Sequence, residues 1–249
     1  MRWWTRPLAS ASVGLAAVMG SVALAAPPAE SAIALEDRLT YQVSWLGIHC
    51  GEMTLESAPV EGKPALVRMM MTVRSTELFD SVYRVRAEIE SIYNIRRQTT
   101  LRYHERSSEK DKNKDDLWVV ALASGRARRT LNGKEQTFDL PPGGALDPLA
   151  MLYRLRSLAV RPGDEFLLTA MTTAGSLETQ AVVERWERFG NGAGEVTGLK
   201  VVQEAVADEE FGRGGGVTMW LAGDTERTPH RIEFDLPFGK LVAVRYEGE

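Results

Sequence analysis

Residues 81–95 read "SVYRVRAEIESIYNI". Tyr83, Val85, Ala87, Ile89, Tyr93 and Ile95 fall on one parity, and Arg84, Arg86, Glu88, Glu90 and Asn94 on the other. A period of two sends alternate side chains to opposite faces of a strand, so this spacing predicts a long strand with one dry face and one wet face. Such one-sided patterning belongs to antiparallel sheets, because strands of parallel sheets are buried on both faces.

The same alternation recurs on both sides of this segment. Upstream, Leu39, Tyr41, Val43 and Trp45 alternate with polar residues, and Val67, Met69, Met71 and Val73 alternate with Arg68, Met70, Thr72 and Arg74. Downstream rows begin at Thr99, Phe166, Leu177, Leu199 (running to Ala205), Val217 and Ile232, and residues 240–246 form a last strand. Turn-forming residues separate the rows. Asn132-Gly133 is the strongest two-residue hairpin signal; residues 190–194, residues 212–216 and Pro237-Phe238-Gly239 read as further links. Residues 104–116, "HERSSEKDKNKDD", carry charges of mixed sign and read as a solvated hairpin tip. Roughly twelve to fourteen one-faced strands must curl to bury their dry faces, which predicts a single strongly curved antiparallel sheet or incomplete β-barrel.

One stretch breaks the pattern. In "GGALDPLAMLYRLRSL", residues 143–158, Asp147 is a good N-cap and Pro148 stands where a missing N–H costs nothing. Leu149, Leu152, Tyr153 and Leu155 recur at helical spacing, Arg154 and Arg156 suit the C-terminal end, and Pro162-Gly163 stops the run. A lone amphipathic helix in a β-chain must lay its oily face on the sheet, so it is expected to plug the concave side. Two interiors follow: a solid core, or an apolar pocket able to hold a lipid-like molecule. In the second case Met69, Met71, Tyr83, Ile89 and Tyr93 from the strands, Leu152, Tyr153 and Leu155 from the helix, and His230 would line it.

The N-terminus has Arg2 and Arg6, a diluted apolar run over residues 8–24, and Ala23-Leu24-Ala25 ahead of Ala26-Pro27-Pro28. That is the pattern of a signal peptide over residues 1–25, cleaved near Ala25-Ala26 and leaving residues 26–249 as one domain in the periplasm. The released chain has 224 residues with 28 basic and 34 acidic groups, so no global positive field would attract nucleic acid. No later stretch is long and apolar enough to span a bilayer. A lone cysteine, Cys50, excludes an intrachain disulfide.

Several chemistries find no support. His49, His104 and His230 lack metal-ligand spacing, and no Cys-x-x-Cys accompanies them. Extended backbone would send His49 and Cys50 to opposite faces, and no Gly-x-Ser-x-Gly elbow occurs. Asp208, Glu209 and Glu210 precede a Gly-rich link and read as a polar loop. No catalytic residue, metal or cofactor is expected.

"LTYQVSWLGIHCGEMTLE" (39–56), with Gly47 and Gly51 in a Gly-x-x-x-Gly turn, resembles the opening block of an exported bacterial family, domain of unknown function 3108 (DUF3108). "YRVRAEIESIYN" (83–94), "DPLAMLYRLRSL" (147–158) and "MWLAGDTERTPHRIEFDLPFGKLVAV" (219–244) resemble its later blocks. The resemblance implies a periplasmic or envelope-associated protein without established activity, and kinship of shape with lipoprotein-carrier folds. The functional expectations are a non-enzymatic envelope protein binding a lipid-like ligand, or an envelope scaffold that has a solid core and binds a protein partner; a cell-wall hydrolase is a distant third.

Overall fold

The computed structural model describes residues 37–110, 112–158, 160–172, 175–190, 194–204, 215–236 and 238–246. The expected signal peptide, Ala205, the Asp208–Glu210 cluster, Pro237 and the middle of both Gly-rich links lie outside these residues.

Among the described residues fourteen strands form one sheet. In chain order they are β1 (Asp37–Trp45), β2 (Ile48–Val60), β3 (Lys63–Ser75), β4 (Val85–Asn94), β5 (Thr99–Glu109), β6 (Lys112–Ala121), β7 (Arg126–Leu131), β8 (Lys134–Asp139), β9 (Glu165–Thr172), β10 (Gly175–Gly190), β11 (Glu195–Gln203), β12 (Val217–Leu221), β13 (Pro229–Leu236) and β14 (Gly239–Arg245). Two helices interrupt them: α1 (Glu77–Tyr83) and α2 (Pro148–Ser157). The spatial order runs β8 through β1, then β14 back to β9. Every strand pair is antiparallel, and first and last strands meet mid-sheet, with Tyr41 opposite Arg245 and Trp45 opposite Leu241. The β7–β8 turn is the two-residue reversal expected of Asn132-Gly133, with φ of 48° and 81°.

This order leaves β8 and β9 as the two edges, and the chain between them carries α2. The sheet is not closed by strand pairing. Instead a short extended piece before α2 stitches across: Leu146 N–H donates to Thr169 O and Met171 N–H to Leu146 O, both at 2.8 Å. On its other side Thr100 N–H donates to Ala145 O at 3.1 Å. Gly144 permits this approach. Its φ is +83°, and a Cβ there would lie 2.1 Å from Thr99 Oγ1.

The inward rows bury one large core, with Tyr41, Val67, Val183, Leu221 and Ile232 almost inaccessible to solvent. A smaller cluster of Tyr103, Trp118, Val120, Ala127, Leu140, Ala145 and Met171 lies between β5–β7 and the far edge. Helix α2 contributes to the large core and is buried from Leu149 to Ser157, on every side rather than on one oily face. The plug expected from the sequence is therefore a central element of the core.

Two expectations need correction. Residues 81–83 do not begin a strand: Tyr83 ends α1, whose N-cap Thr76 accepts from Phe79 N–H at 3.2 Å. Residues 104–116 are not a loose tip either, since β5 continues to Glu109 and β6 starts at Lys112. The charges alternate there because the strands do.

Candidate functional site

The interior beneath α2 is the place to look for a ligand, and its construction starts at Asp147. Asp147 Oδ1 accepts the N–H groups of Leu149 and Ala150 at 2.9 and 3.0 Å, capping the helix. Its Oδ2 accepts Ser91 Oγ at 2.5 Å and Thr100 Oγ1 at 2.6 Å, which fixes the cap to β4 and β5. Burial raises this carboxyl above its ordinary value, against the pull of those four donors. At the other end Arg156 Nη2 donates to Asp37 Oδ2 at 2.8 Å and Arg154 Nη2 to Gln98 Oε1 at 3.0 Å, while Arg227 donates to Leu158 O. The helix is thus tied at both ends to the rim formed by the starts of β1 and β5 and by the β12–β13 link.

Little space remains between helix and sheet. A cavity of about 30 Å³ lies among Leu55, Ser57, Met69, Leu152, Tyr153, Arg156, Met219 and Ile232. That is room for about one or two waters, whereas sites for drug-sized molecules run to roughly 300–1,000 Å³. Of the nine candidate lining residues, Met69, Leu152 and Tyr153 face this cavity. Tyr93 packs on Tyr153 with ring centroids 5.8 Å apart, and it and Leu155 are fully buried. Met71 and Ile89 pack partly buried against the same core. Tyr83 is not an interior residue: it is 41% exposed on α1, and its hydroxyl donates to Glu109 Oε2 at 3.3 Å. His230 is half-buried at the start of β13; burial and the nearby Arg245 charge pull it below its ordinary value, and among the described residues it forms no hydrogen bond to an acid.

A second inward group was missed by sequence reasoning. Arg129 and Asp116 form a doubly hydrogen-bonded pair at 2.8 and 2.7 Å with side chains 2% and 1% exposed, and the guanidinium lies over Trp118 at 5.2 Å. Lys114 Nζ bridges Glu105 at 3.0 Å and Asp116 at 3.6 Å, and Glu105 also accepts Tyr103 Oη at 2.9 Å. Burial, then the Glu105 charge, drives the Tyr103 hydroxyl well above its usual range. Each charge in this network has an opposite partner, so the network stiffens β5–β7 and holds no activated nucleophile. The legible signal was parity: Glu105, Lys114 and Asp116 share the inward phase of Tyr103 and Trp118.

Elsewhere, Cys50 is buried, its thiol is pushed up by burial, and it donates to Val43 O at 3.5 Å, as an inert core thiol does. His49 is exposed. His104 lies on the outer face, 2.8 Å from Asp115. An open groove of about 540 Å³ runs over that face, flanked by Arg74, Arg86 and Arg106 and also by Glu88 and Asp115. Among the described residues no group of His, Cys, Asp and Glu has metal-binding geometry, and no helix is long and apolar enough to cross a membrane.

Comparison with known proteins agrees with this architecture. The chain belongs to the family described as Protein of unknown function (DUF3108), whose model matches residues 40–245. No curated protein matches it. A solved structure, a β-barrel-like protein of domain of unknown function DUF1849 from Brucella abortus, superposes with a TM-score of 0.56 over 86% of this chain and 98% of its own, at 11% identity. At that identity the likeness speaks for the fold alone.

Proposed function

We propose that this member of the DUF3108 family is a non-enzymatic protein of the periplasm that works as a scaffold, binding a partner on its outside rather than a lipid within. The observation that carries this reading is the filled interior: α2 and the inward rows leave about 30 Å³, an order of magnitude below what a lipid-like ligand needs. The signal-peptide pattern supports the location. The partnered charges around Asp116 and the inert Cys50 support the absence of catalysis.

The outside offers a docking element. On β9 the backbone of Thr169 and Met171 faces away from β10 and is taken by Leu146. By alternation the same edge continues at Leu167, which is 72% exposed. An extended segment of a partner can extend the sheet there. The test is site-specific photo-cross-linking from position 167 in cells. One dominant envelope-protein adduct is expected, unchanged in Tyr153→Phe and abolished by Glu165→Pro, which removes an outward N–H without touching the core. An adduct lost in Tyr153→Phe but kept in Glu165→Pro would overturn the reading in favour of the interior.

A further inference from the structure

Exposed apolar side chains are not scattered over this molecule. Eleven large ones are exposed among the described residues, and seven gather at one end: Leu46, Ile48, Leu78, Val82, Tyr83, Leu236 and Phe238. The register puts them together. Trp45 pairs with both Ile48 and Leu241, and Gly51 pairs with Ser75, so the β1–β2 turn, α1 and the β13–β14 turn share the end opposite α2. Contacts tie these reversals to one another: Trp45 Nε1 donates to Phe238 O at 3.0 Å, Leu46 rests on Gly239, and Thr76 N–H donates to Cys50 O at 3.0 Å.

Two features make this end costly to the isolated fold. Leu46 occupies the first position of a two-residue turn at φ +50°, where Asn is favoured and a leucine is strained by roughly 1 kcal/mol. The strained residue then shows 66% of its surface to water, while Leu78 shows 84% and Phe238 81%. Helix α1 buries no residue completely, and Leu78 and Val82, four apart, line its outer face.

The chemistry of the occupant follows from what the end lacks. Its apolar groups ride on three separate chain reversals, and among the described residues neither edge strand, β8 or β9, contributes to them, so they offer no backbone register for a protein segment to read. A bilayer surface needs none. The neighbouring charges fit as well. Arg84, Lys110 and Lys112 make no ion pair among the described residues, and Lys110 N–H donates to Arg84 O at 2.8 Å, so these cations stand beside α1. The acids nearby are engaged: Asp80 with Arg86 at 2.5 Å, Asp235 with Lys240 at 3.4 Å, Glu109 with Tyr83. Among the described residues Glu77, in the first turn of α1, is the acid left over, and in the sequence Asp111 stands between Lys110 and Lys112, so the cations outnumber these acids by three to two.

We propose that this end is a membrane-contact face: Leu46, Ile48, Leu78, Val82 and Phe238 enter the boundary between head groups and acyl chains of a phospholipid bilayer, and Arg84, Lys110 and Lys112 meet anionic head groups. It stands independently of the partner-binding reading, which concerns the β9 edge. Flotation of the exported protein with vesicles of phosphatidylethanolamine and phosphatidylglycerol tests it. The wild type is expected to float, and Leu46→Ser/Leu78→Ser/Phe238→Ser to lose on the order of tenfold or more in partitioning, while Leu167→Ser floats like wild type. Leu46→Asn separates binding from folding: relief of turn strain raises its melting temperature, yet its vesicle partitioning falls. A wild type that stays with the soluble fraction, or a triple variant that floats equally well, would overturn the proposal.

Discussion

Asp116 and Arg129 show how a buried charge is tolerated here. Both are nearly inaccessible, and each satisfies the other through two hydrogen bonds. Removing Asp116 takes both carboxylate hydrogen bonds from the buried Arg129 guanidinium, so Asp116→Ala should lose about 3–5 kcal/mol in urea unfolding, and Asp116→Leu/Arg129→Met should recover most of it. Glu233 gives a pH signature. Burial pushes its carboxyl up, but the hydrogen bonds from Lys240 at 2.9 Å and Arg231 at 2.6 Å win and hold it below its ordinary value of 4.5. The unfolded chain then binds that proton more readily, so this contribution is complete above pH 4.5 and disappears as pH falls through the depressed folded value. Glu233→Gln should flatten the acid limb of stability against pH, as followed by circular dichroism melts; an acid limb as steep as in wild type would contradict the pairing. Individual residues were only partly legible. Alternation placed Met69 and Tyr93 inside and helical spacing placed Leu155 there, but charge diverted attention from Glu105, Lys114 and Asp116, which obey the strand alternation. Tyr83 followed the parity of β4 by coincidence, because α1 ends on it.

Helix α2 was legible in its bounds and not in its surroundings. Asp147 and Pro148 mark its start, and it ends at Ser157, close to the expected stop. Its mean pattern of apolar and basic residues reads as amphipathic, yet Arg154 and Arg156 are buried, because Gln98 of the β4–β5 turn and Asp37 of β1, both distant in sequence, meet them. Long-range partners of that kind leave no mark in local spacing. Since α2 is packed on all sides, Leu155→Ala, at a position 1% exposed, should cost about 3 kcal/mol and lower the melting temperature by roughly 6–12 °C; a shift under about 2 °C would show that the helix is not integral to the core. Helix α1 escaped notice because seven residues give too little periodicity to outweigh the strand signal beside it. Its cap, Thr76, and the acids of its first turn are the cues that were available.

Counting one-faced strands was enough to predict a curled sheet, and fourteen are present. How its edges would meet was not readable, since the stitch depends on backbone groups of Ala145 and Leu146, whose side chains carry no special pattern. The stitch makes Gly144 sensitive: Gly144→Ala would drive a Cβ into Thr99 and force an unfavourable φ, so it should speed amide exchange along β9 and at Thr100. Unchanged protection there would show that the two edges are held by something else. The fold as a whole combines an interior full of its own helix, an unclosed edge at β9 and an apolar end opposite α2. Each follows from where the inward rows run out. The central claim is that the interior is full, and native mass spectrometry of the gently purified protein addresses it most directly. The account predicts the mass of the polypeptide alone; a stoichiometric lipid adduct that survives Leu46→Ser/Phe238→Ser and is lost on filling the cavity with Leu152→Trp would contradict it.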